Sequence, residues 1–104
     1  MNKVLDKLPA LIDEELQAAI DEHGDFHSFH EGYAVLLEEV EECKDEFDNV
    51  RNLTELMWLH LRANDVEGVL CRAEGILKYA QKAAAEAIQV AAMAQKIISY
   101  GDAS

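Results

Sequence analysis

A chain of 104 residues, half of it hydrophobic, has room for one domain with a modest core and is too apolar to be read as a disordered tail. Its 21 acidic against 9 basic residues leave a formal charge of -12, which repels nucleic-acid phosphates over most of the surface. Asp6, Asp13, Glu14 and Glu15 interrupt the N-terminal region and Glu or Lys breaks every long apolar stretch, so neither a signal core nor a membrane span is expected.

Cys43 and Cys71 have no CxxC spacing and read as free thiols behaving as small hydrophobes, the pattern of a reducing compartment; the expected location is cytoplasmic. The first helix is expected over about Pro9 to His23, because proline suits a first turn and Ile12, Leu16, Ala19 and Ile20 recur at helical spacing. Gly24 ends it. The second helix opens on Ser28-Phe29-His30-Glu31, the spacing of a capping box, and is expected to reach about Asn49. Asn52-Leu53-Thr54-Glu55 repeats that signature ahead of Leu56, Met57, Leu59 and Leu61, with a break near Asn64-Asp65. Gly68 and Gly75 weaken helix locally, and Ile76 to Tyr100 carries the strongest helical composition in the chain. The fold class expected is all-α, an antiparallel bundle of four to five helices.

At about 100° per residue, Phe29, Leu36, Val40, Cys43 and Phe47 form the apolar stripe of the second helix, with Glu39, Glu42 and Glu46 as a ridge along its border. Glu38, Glu41 and Asp45 point further toward solvent. Like charges three or four residues apart destabilise a helix unless a cation sits among them. The last helix buries Tyr79, Ala83, Ala87, Val90, Ala94 and Ile97, and Glu86 falls at the edge of that stripe with Gln89 one turn on. Carboxylates are hard oxygen ligands suited to Mg2+ or Mn2+, so two helices bringing them to one face can hold such an ion. The competing reading is a solvated acidic face in which Glu86 pairs with Lys82 at i−4.

Glu38-Glu39-Val40-Glu41-Glu42, followed later by Glu86-Ala87-Ile88-Gln89, resembles the EExxE and ExxD motifs of the MazG-like all-α nucleoside triphosphate pyrophosphohydrolases. The segments His30 to Leu37 and Glu86 to Ala94 look like the bacterial and phage subgroup, and the resemblance covers about residues 28 to 100 of a single domain spanning 1 to 104. It implies hydrolysis of a nucleoside triphosphate to monophosphate and pyrophosphate with Mg2+ or Mn2+. Independently, Leu53, Leu56, Met57, Leu59, Leu61, Val69 and Leu70 are more apolar surface than a chain of this size easily covers alone, so a homodimer or homotetramer is expected. By match the resemblance implies metal ligands at Glu39, Glu42, Glu86 and Gln89, and catalytic roles for Glu38, Glu39 and Glu42. Gln89 departs from the motif, since a neutral amide stands where the family has a carboxylate. The interval from Glu42 to Glu86 is also longer than the motif's usual spacing.

Lys78, Lys82 and Lys96 are candidate phosphate contacts on or near the Glu86 face, although surface lysines are the commoner reading. Trp58 beside His60 could meet a nucleobase, against the alternative that it packs in a core or between subunits. His23, His27 and His30 have ligand-like spacing, but Gly24 interrupts any shared helix and a polar loop is the better reading.

Overall fold

The structure is a computed structural model describing residues 2–103, and its described residues form three helices with no strand. Helix α1 spans Lys3–His23, α2 spans Phe29–Arg62 and α3 spans Val66–Ala103. The all-α expectation therefore stands, whereas the count of four to five helices is corrected to three. Helix α1 begins before Pro9 because the Asn2 side chain accepts from the amides of Val4 and Leu5, at 3.0 and 3.1 Å. Gly24, at φ 72°, closes it, donating its amide to the Ile20 carbonyl at 2.7 Å.

Ser28 caps α2 as expected, its hydroxyl accepting from the Glu31 amide at 3.1 Å. The return bond differs from the expected box. Glu31 accepts the backbone N–H of His27 at 3.0 Å, one residue earlier than the cap. The Tyr100 hydroxyl donates to the His27 carbonyl at 3.2 Å, so the connection between α1 and α2 is tied to the far end of α3.

Helix α2 does not stop near Asn49. No glycine or proline occurs between Gly32 and Gly68, and Thr54 turns its hydroxyl back to the Val50 carbonyl at 2.8 Å instead of capping a new helix. Leu53 lies against Gly75 of α3, where an added Cβ would come within 2.9 Å of a Leu53 methyl. The two glycines expected to kink the chain instead lie inside a continuous α3, and Gly75 admits close helix approach.

The turn between α2 and α3 comes where expected. Asn64 takes φ 57°, a left-handed conformation asparagine tolerates, and Asp65 caps α3 by accepting from the Gly68 amide at 3.0 Å. The other Asp65 oxygen meets His60 Nδ1 at 2.9 Å, and Arg72 Nε donates to His60 Nε2 at 3.3 Å. Because the guanidinium only donates, that geometry assigns the imidazole proton to Nδ1. Helices α2 and α3 thus run antiparallel as a long hairpin, and α1 packs on α3 near the open end. There Phe26, Ala92 and Met93 form the buried centre, flanked by Ile12 and Leu16 of α1 and Leu36 of α2. No described helix is long and apolar enough to cross a membrane.

Candidate metal centre

Antiparallel pairing of α2 and α3 sets Cys43 opposite Ala83, its thiol 3.6 Å from the Ala83 carbonyl. That register brings Glu86, one turn along α3, to the level of Glu39 and Glu42. One carboxylate oxygen from each of the three lies within 4.8 Å of the others. Glu39 and Glu42 are one turn apart on α2, so the pair comes from helical spacing and the third carboxylate from packing.

The charges are not balanced by any lysine or arginine. Among the described residues no ion pair reaches Glu39, Glu42 or Glu86, and Lys82 lies over the Tyr79 ring at 5.5 Å instead of against Glu86. One oxygen each of Glu39, Glu46 and Glu86 is buried without a hydrogen-bond partner. Such orphaned acceptors are costly unless a cation or proton meets them. Partial removal from water, then the nearby Glu42 and Glu86, push the Glu39 carboxyl above its ordinary range. The Glu42 carboxyl is raised by shielding first and by Glu86 second.

A cleft of about 530 Å³ opens beside this trio, lined by Glu38, Glu39 and Gln89 at one end and by Phe26, Glu31 and Lys96 at the other. Helix α1 closes one wall of it. Gln89 therefore stands beside Glu39 on the cleft, where its amide offers a neutral oxygen. Glu46, a turn beyond Glu42, completes the ridge seen in the sequence but lies outside the converging trio.

The remaining candidates separate. Lys96 lines the cleft, and at 5% exposure it is the buried charged residue of the core; it is not the surface lysine its type suggests. Lys78 and Lys82 both lie over Tyr79 and do not line the cleft. Trp58 is 57% exposed on the distal half of α2, about 24 Å along the helix axis from Glu42. Within one chain it does not reach the carboxylates. His27 is engaged with Glu31 at 3.3 Å, and His23, His27 and His30 form no metal-ligating group.

Sequence reasoning did not single out Phe26 or the burial of Lys96. The accessible signal was Gly32, whose missing side chain leaves room for Phe26 and Ile97; an added Cβ would sit 2.9 Å from Ile97 and 3.3 Å from the Phe26 ring. No family model, curated protein or solved structure matches this chain.

Proposed function

We propose that this chain is a Mg2+- or Mn2+-dependent nucleoside triphosphate pyrophosphohydrolase, acting as a homodimer or homotetramer. The observation carrying the reading is the convergence of Glu39, Glu42 and Glu86, two of them with buried oxygens that no protein group satisfies. The donor set fits a hard divalent cation: three carboxylates, no sulfur or imidazole, and a neighbouring amide oxygen at Gln89. When bound, such an ion offsets phosphate charge and orients an attacking water.

Glu39, Glu42 and Glu86 would hold the ion, with Gln89 contributing a neutral oxygen from the cleft side. Glu38 also lines the cleft and is the group we assign to accept the proton of water. Attack of that water at the α-phosphorus forms a P–O bond and breaks the bond to the bridging oxygen. Pyrophosphate leaves with its electron pair, and monophosphate remains. The acidic surroundings disfavour a free polyanion, so the substrate is expected to enter as its metal complex.

A second reading is favoured by one feature, the amide of Gln89 where the resembled motif carries an acid. That reading is a helical nucleotide- or partner-binding protein that keeps the scaffold with weakened catalysis. A panel of nucleoside triphosphates incubated with Mg2+ or Mn2+ and assayed for pyrophosphate decides between them. Release that Glu39→Gln abolishes supports the hydrolase; binding of the same nucleotides without release supports the alternative.

A further inference from the structure

The cleft holds an ammonium group that acts on the Glu31 carboxylate only at a distance, adding without a direct ion pair to the His27 hydrogen bonds that chiefly lower its pKa. Lys96 is 5% exposed, and among the described residues its Nζ has no hydrogen bond or ion pair; its neighbour is the face of Phe26, 4.2 Å from the ring centroid. The stem of Lys96 is buried and its ammonium lies against the aromatic face, but Nζ is not among the buried polar atoms left without a partner, so its N–H groups meet the solvent of the cleft. The side chain lines the cleft, so those groups are available to a ligand there. Phe26 is itself fixed, between the Gly32 backbone on one side and a connection tied down by the Tyr100 bond to His27.

Two turns of α3 separate Gln89 from Lys96, about 10 Å along the axis, and Glu86 lies about 15 Å away. A ligand that reaches both ends must therefore have two heads: one that chelates a divalent ion and one that accepts from an ammonium. The charge around Lys96 limits the second head. Glu15, Glu22, Asp25 and Glu31 line the same cleft, so one ammonium stands among several carboxylates. A phosphate there would be repelled by the surrounding acids, whereas a neutral carbonyl would not.

We propose that Lys96 is a specificity-determining residue that donates to the base carbonyl remote from the sugar, so that the cleft selects nucleotides with a keto group at that edge. This rests on the nucleotide reading of the preceding subsection. Uracil, thymine, guanine and hypoxanthine carry an acceptor there. Cytosine and adenine present an amino group, which sets donor against donor.

Non-cleavable α,β-methylene triphosphates of uridine, cytidine, inosine and adenosine, titrated calorimetrically onto the full chain with Mg2+, test this without requiring turnover. The uridine and inosine compounds should bind at least about tenfold more tightly than their amino counterparts, the scale of one charge-assisted hydrogen bond. Lys96→Met keeps the packed stem and should reduce the preference to about threefold or less. Lys96→Gln, whose amide can donate to a keto group or turn its oxygen to an amino group, should lose the preference as well, with circular dichroism establishing that both variants fold. Equal binding of all four compounds overturns the proposal, as does a Lys96→Met variant that weakens all four alike. Failure of every compound to bind removes the nucleotide reading as well. Keto preference without cleavage of the natural triphosphates removes only the hydrolase reading.

Discussion

Glu39 shows how a single side chain links folding to chemistry. In the folded protein its carboxyl and that of Glu42 hold protons more tightly than in the unfolded chain, so folding there favours the protonated form. The contribution to stability is therefore complete at and below the ordinary value of 4.5 and is lost as pH rises through the elevated folded values. At neutral pH the metal-free protein carries the repulsion. Glu39→Gln removes it, and should raise the metal-free melting temperature at pH 7 by about 2–4 °C. In wild type, Mn2+ should raise the melting temperature, and the variant should lose that response. A variant that melts lower than wild type and still responds to Mn2+ would place the ion elsewhere. Gln89→Asp works in the opposite direction, adding an anionic oxygen beside Glu39. It should tighten Mn2+ binding about tenfold by calorimetry and raise pyrophosphate release. If binding and release are both unchanged, Gln89 does not touch the ion, and Glu46 becomes the next ligand to test.

Two glycines sit where the helices approach closely, and their environments differ. At Gly75 an added methyl would meet only the end of the Leu53 side chain, which can turn aside, so Gly75→Ala should gain helix propensity and stabilise by up to about 1 kcal/mol in urea unfolding. At Gly32 the same change meets Ile97 and the Phe26 ring together. There overpacking outweighs the propensity gain, and Gly32→Ala should destabilise by about 1 kcal/mol. Equal effects at both positions would contradict the packing described. The hairpin turn depends on Asp65, which caps α3 and holds His60 in place for Arg72. Asp65→Ala should cost about 1 kcal/mol by the same measurement.

At the scale of the whole molecule, one chain leaves more surface exposed than a compact monomer of its mass. Its accessible surface is 7616 Å², against about 5,800 Å² for a compact monomer of 11.6 kDa. Its radius of gyration is 17.7 Å where about 13 Å is typical of this length. Val40 and Phe47 are exposed along a groove floored by Ala83 and Ala87, between the two long helices. An excess of that size matches what one subunit buries in an obligate oligomer. Light scattering at micromolar concentration should give a dimer or tetramer, and Phe47→Glu should shift it toward monomer. A monomeric wild type would contradict the assembly and leave the apolar groove unexplained.

The helical class, the Ser28 cap, the break near Asn64-Asp65, the Gly24 stop and the acidic ridge of α2 were legible in the residues, because capping and 3.6-residue periodicity act over a few positions. The length of α2 was not, since the Asn52 signature is locally as good a start as Ser28. Packing of Leu53 on Gly75 keeps the helix running through it. Glu39 and Glu42 share a face by spacing alone, but Glu86 reaches them only through the antiparallel register of α2 on α3. Lys96 was legible as a candidate phosphate contact set against a surface reading, but not as a buried side chain, because its sequence neighbours say nothing of Phe26, which lies seventy residues away in the chain. Local hydrogen bonding is written in adjacent residues; the depth of a charge and the company it keeps are properties of packed surfaces, and those exist only once the helices have closed on one another.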